Sequence, residues 1–162
     1  MVVTLFAGCS AHDPDPLNWQ IEAKNPETLG EWMQKTMPLL PSELQEDLAE
    51  SYTNIVARTP GSDASSDEQI NNPVCLRLNH RTLREVILEG LQIGRDALNT
   101  RIDLLRNSEI ALLKQEEDAP PDRLVIYEKR LKEYRAALEY ANKELVPLQK
   151  RIDMLLATRP KE

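Results

Sequence analysis

The sequence predicts an all-α protein: a long antiparallel helical hairpin, coiled-coil-like, preceded by two short helices. Three observations predict it. Charge and proline divide the 162-residue chain near residue 80: residues 1–80 hold 4 basic and 12 acidic side chains and seven of the eleven prolines, whereas residues 81–162 hold 16 basic and 15 acidic side chains and have no glycine after Gly94. Apolar positions beyond residue 80 recur at helical spacing in two runs. Between the runs stands Asp118-Ala119-Pro120-Pro121, a break short enough to make the two helices antiparallel neighbours.

The elements follow in chain order. Residues 11–24, with Asp13-Pro14-Asp15-Pro16, read as an extended leader, because each proline removes a donor and pushes its predecessor away from helix. A first helix is expected from Pro26 to about Met37, capped by Asn25, with Leu29, Trp32, Met33 and Met37 on one face. Ser42 with Gln45 resembles a capping box, so a second helix should run over about 43–57 and bury Leu44, Leu48, Tyr52, Ile55 and Val56. Residues 59–72 read as a loop, and Val74–Leu78 as a short strand or extended segment with Cys75 as a small buried hydrophobe.

The first hairpin helix should cover about 81–117 along Leu83, Ile87, Leu91, Gly94, Leu98, Ile102, Leu105, Glu109 and Leu113. The second carries Leu124, Tyr127, Leu131, Tyr134, Leu138, Ala141, Leu145, Leu148, Ile152 and Leu155, whose steps alternate three and four throughout. Tyr140 falls off that stripe. Pro147 interrupts one backbone hydrogen bond without interrupting the stripe, so the helix should bend there and continue. Gly90 and Gly94 share a face, and charged neighbours rule out lipid around them. They predict close backbone contact with another helix, one of the two short ones. The line Val86, Ile93, Ala97 and Leu104 is the part of the hairpin those helices could cover.

Several functions are disfavoured by composition. A net charge of -7 argues against nucleic-acid partners, since phosphate contacts need clustered Lys and Arg. No apolar run approaches the roughly 20 residues of a spanning helix. There is no Gly-rich phosphate loop, Gly-x-Ser-x-Gly or His-Glu-x-x-His. His12 with Asp13 and Asp15 lies on a proline-rich stretch that seldom pre-organises a metal site, and His80 sits beside a helix start, where a capping or solvated role is expected. Glu128 with Lys132 and Glu139 with Lys143 read as solvated i,i+4 pairs. No catalytic residue, metal site or cofactor is therefore assigned.

The opening, Leu5-Phe6-Ala7-Gly8-Cys9-Ser10, is a short apolar run that ends in two small residues and a cysteine and then turns polar. It resembles a bacterial lipobox, the signal for lipid attachment to cysteine, over about ten residues. It departs from that pattern at Phe6, where Leu is usual, in its short apolar region and in its lack of Lys or Arg before it. The resemblance implies a lipoprotein modified at Cys9, with residues 1–8 as a signal-like segment and 9–25 as a tether. Ser10 then implies the outer membrane, facing the periplasm. The rival use of the thiol is a Cys9–Cys75 disulfide.

The expected function is a non-enzymatic, lipid-anchored scaffold or assembly factor of a bacterial envelope that binds a protein partner, or itself, through the hairpin spanning 81–162, with residues 26–80 forming the short helices and loop. One alternative is a cytoplasmic coiled-coil adaptor or oligomer subunit. Another is an enzyme or ligand carrier with a site between short helices and hairpin. The expected contact residues are at the hairpin tip: Leu112 and Ile126, left exposed, with acidic Glu116, Glu117, Asp118 and Asp122 around the turn.

Overall fold

The computed structural model describes residues 15–61, 72–117 and 119–158. The described residues form five α-helices: α1 Pro26–Thr36, α2 Ser42–Arg58, α3 Pro73–Leu78, α4 Leu83–Glu117 and α5 Leu124–Ala157. Helices α4 and α5 pack antiparallel along their length, each about 50 Å long at 1.5 Å per residue. Helix α2 packs on the first third of α4, so the base of the hairpin is a three-helix layer.

Local chemistry explains most boundaries. The Asn25 side chain accepts from the Thr28 N–H at 2.8 Å while the Thr28 hydroxyl accepts from the Asn25 N–H at 3.0 Å, closing a capping box ahead of Pro26. A 3-10 turn over Met37–Leu39 carries the chain round Pro38 and leads to buried Leu40. Helix α2 starts one residue earlier than the Ser42–Gln45 pattern predicts. Ser42 is already helical, Pro41 holds the cap position without a side-chain bond, and Gln45 Nε2 instead donates to the Leu40 carbonyl at 2.8 Å.

Two expectations about the first half are corrected. Val74–Leu78 is helix, not strand: the Asn72 carboxamide accepts from the Val74 and Cys75 N–H groups at 3.0 and 3.2 Å, and Pro73 fits the first turn. The described part of the leader, from Asp15, is fixed structure instead of free tether. Asp15 caps a 3-10 turn over Pro16–Asn18, and the stretch after it runs antiparallel to the α3–α4 connection. Ile21 donates to the Arg81 carbonyl at 2.8 Å and accepts from the His80 N–H at 2.9 Å, while the Leu83 N–H donates to the Trp19 carbonyl at 2.9 Å. Burial drives this, since Ile21 and Ala23 are each 1 % exposed. His80 stands in the left-handed region at φ 63°, making the tight turn that lets the two segments pair.

Every position of the predicted α5 stripe is buried or half-buried, and Tyr140 is exposed, as its place off the stripe predicts. The helix continues through Pro147. On α4 the seam follows Leu83, Ile87, Leu91 and Ile102 and then departs from the expected line: Leu112 is buried and Leu113 is 37 % exposed. Seven residues turn a helix through two turns less only about 20°, so Leu112 keeps the heading of Leu105, whereas Leu113 is rotated off it by about 80°. Glu109, the one charge in that line, is satisfied across the seam by Arg135 at 2.7 Å.

Candidate functional site

The base and the tip of the hairpin differ in what lies on them. At the base, α2 crosses the glycine face of α4. A Cβ built on Gly90 would lie 2.2 Å from the Ser51 Cβ and 2.3 Å from its Cα, so only glycine permits this approach. The close approach lets the Ser51 hydroxyl donate to the Ile87 carbonyl at 2.9 Å and Asn54 Nδ2 donate to the Gly90 carbonyl at 3.0 Å. The glycine spacing therefore marks an intramolecular helix contact, as expected from the sequence.

Three ionic clusters surround this core, and all serve the fold. Glu89 receives both Arg77 and Arg81, and Arg77 also donates to the Thr59 hydroxyl at 3.2 Å. Burial pushes the Glu89 carboxyl up, but the hydrogen bonds and charges of Arg81 and Arg77 outweigh it and hold it below the ordinary range. On α5, Arg151 reaches Asp47 and also Glu50 at 2.8 Å, tying α2 to α5. That pair is unequal. Burial, with smaller contributions from Glu50 and Glu43, raises the Asp47 carboxyl against the charge and hydrogen bond of Arg151, while Glu50 and Asp47 hold the Arg151 guanidinium charged against burial. Arg84, 7 % exposed, bonds to the Leu155 carbonyl at 3.1 Å, the Thr158 hydroxyl at 2.7 Å and Asp15 at 3.2 Å, and so clamps the start of α4 and the end of α5 to the N-terminal segment. Its buried Nε has no hydrogen-bond partner among the described residues.

A small apolar cavity of about 240 Å³ lies among α1, α2 and α3, lined by Leu29, Met33, Tyr52, Val56, Val74 and Cys75. Burial pushes the Cys75 thiol up, and burial together with Cys75 raises the Tyr52 phenol, so neither group is activated. Among the described residues no three His, Cys, Asp or Glu side chains are grouped to hold a metal, and no helix is long and apolar enough to cross a membrane.

The outer half of the hairpin has no third helix among the described residues. The short helices cover Val86 and half-bury Ile93, but Ala97 and Leu104 stay exposed, so their cover ends nearer the base than the sequence suggests. Beyond it an open groove of about 570 Å³ runs between α4 and α5. Leu105, Ser108, Ala111, Leu112 and Gln115 line one wall, and Arg130, Glu133, Tyr134 and Ala137 the other. The small Ser108, Ala111 and Ala137 leave seam residues Leu105 and Tyr134 only half covered.

The expected tip residues divide. Ile126 is 55 % exposed, as predicted, and Glu117 and Asp122 are exposed while Glu116 is half-buried. Leu112 is the correction: at 6 % exposure it belongs to the seam and forms part of the groove wall, not a free tip contact. Asp118, Cys9 and His12 lie outside the described residues. The groove itself was missed from sequence, although its signal was present: small residues at 108, 111 and 137 beside the apolar stripes. Comparison with known protein families, with curated proteins and with solved structures finds no match.

Proposed function

We propose that this chain is a non-enzymatic scaffold or assembly factor whose helical hairpin binds a protein partner in the groove of its outer half, held on a bacterial envelope membrane by lipid at Cys9. One observation carries the binding reading. The groove that α2 fills at the base is open over the outer half, and it is floored by half-covered seam residues, the kind of concave surface into which a helix packs. The Glu89 and Arg151 clusters of the base are internally paired, and the buried thiol is unactivated, which favours binding over chemistry as the protein's work. The anchor reading rests on the Ala7-Gly8-Cys9 pattern and the Pro/Asp-rich stretch after it. Ser10 favours the outer membrane.

The test of the groove places a photo-crosslinking residue at Ala111 or Ala137, or on the outward face at Glu139, and irradiates whole cells. Adducts from the two groove positions and none from Glu139 are expected. Equal or absent adducts at all three contradict the reading. The anchor is tested separately: Cys9→Ala should move the protein from the membrane fraction to the soluble fraction, and unchanged fractionation ends the lipoprotein reading.

A further inference from the structure

We infer that the open outer groove is the docking face for a second copy of this chain, so that two hairpin tips close into an antiparallel four-helix layer. This rests on the reading of the groove as a protein-binding face and names its occupant. The argument begins with register. Ser108 stands eighteen residues beyond Gly90, five full turns at 3.6 residues per turn, and so shares its heading. Glu133 stands eighteen residues before Arg151 on α5 and shares the heading of that residue in the same way. The outer groove is thus the straight continuation of the one α2 occupies, offered by the same faces of both helices.

The charges differ between the two stretches, and the difference selects the occupant. At the base the hairpin presents Arg151, and α2 answers with Asp47 and Glu50. At the tip the face carries both signs itself, Arg130 and Glu133, and neither forms an ion pair among the described residues. With Ile126, Ala137 and Tyr140 they make a second stripe on α5 at steps of 4, 3, 4 and 3, in which Ile126 and Tyr140 are 55 % and 59 % exposed. A uniformly acidic or basic partner would satisfy only one of these charges. A second copy related by a twofold axis between residues 131 and 132 satisfies both: Arg130 meets Glu133 of the other copy, Ile126 meets Ala137, and each contact occurs twice.

The size of the face sets the strength. A stripe from 126 to 140 is about 20 Å long and two helices are about 20 Å across, so on the order of 400 Å² per copy is covered, about half a standard interface. An area of that size belongs with the weak, transient class of interfaces, so a reversible dimer is expected.

Analytical ultracentrifugation of the chain from 5 to 500 μM tests this, with circular dichroism showing each variant folded. Reversible dimerisation is expected. Arg130→Glu and Glu133→Arg should each weaken it at least about tenfold, by setting like charges opposite one another twice. An equimolar mixture of these two single variants should dimerise again, because both crossed pairs are then attractive. A monomer throughout the range, or a dimer indifferent to both reversals, or no recovery in the mixture, overturns the assignment. In the cellular crosslinking described above, an adduct at twice the mass of the uncrosslinked protein from the same cells agrees with a second copy. An adduct of any other mass overturns it and leaves the groove reading standing.

Discussion

The two ends of one hairpin are built from the same helices and differ in what those helices pack against. At the base, Leu83, Val86, Ile87 and Leu91 are all completely covered, because α2 lies on one side of α4, α5 on the other, and the Trp19–Ala23 segment across the end. At the tip, among the described residues, α4 and α5 have only each other, and Leu104, Ile110, Val125 and Ile126 are more than half exposed. The lesson is geometric. A helix pair buries one stripe per helix, and closing a second side needs a third element. Glycine is spent where that element must come closest, and Ser108 takes the heading of Gly90 where no third element lies among the described residues.

The largest expected effects come from removing core volume at the two ends. Ile87→Ala should cost about 3–5 kcal/mol, and Leu105→Ala, at a half-covered tip position, about 1–2 kcal/mol. Equal costs in urea unfolding would break the comparison. Adding volume gives the next contrast. Gly90→Ala should cost about 2–3 kcal/mol, because the atoms it meets are the Ser51 Cβ and backbone. Ala111→Val in the open groove should stay within about 0.5 kcal/mol.

Acid titration separates the ends more gently. The Glu89 carboxyl is held below its ordinary value of 4.5, so its contribution is complete above that pH and is lost as pH falls through the lower folded value. Glu89→Gln should therefore cost about 1–2 kcal/mol at pH 7 and flatten the fall in stability between pH 5 and pH 3, as followed by urea midpoints. Glu109→Gln, whose partner Arg135 is 61 % exposed at the tip, should shift neither by more than about 0.5 kcal/mol. The smallest change is a gain. Gly30 on α1 has open space around its Cα, so Gly30→Ala should stabilise by about 0.5–1 kcal/mol.

Legibility in the sequence followed length and repetition. The α5 stripe runs over more than four heptads and is correct at all ten positions, because a periodic signal averages over many residues. The Gly90–Gly94 contact was legible for a different reason: two glycines on one face of a charged helix have few other uses. Helix α3 was missed because six residues carry too little periodicity, yet Asn72-Pro73 is the same cap-then-proline signal that Asn25-Pro26 gives before α1. Thr82 with Glu85 was a usable capping box overlooked in favour of Ser42 with Gln45. The Glu85 carboxylate accepts from the Thr82 N–H at 2.8 Å, and the Glu85 N–H donates to the Thr82 hydroxyl at 3.3 Å. The pairing of Trp19–Ala23 with the α3–α4 connection, and the clamp of Arg84 on Leu155 and Asp15, join residues about 60 to 70 apart, and no local pattern announces them. The tip groove was half legible: exposed Ile126 was expected, but placing Leu112 required the seam's drift along α4 to be followed beyond Leu105.

The difference between base and tip is measured most directly by amide hydrogen exchange along α4 and α5 at about 1 μM, below the concentrations at which the proposed dimer would form. Amides of residues 86–94 and 145–155 should exchange only through global unfolding. Those of 104–117 and 124–137 should exchange at least about a hundredfold faster, through local opening of the two-helix arm. Uniform protection along both helices at that concentration would show that the hairpin needs no third element at its tip, and would contradict the account.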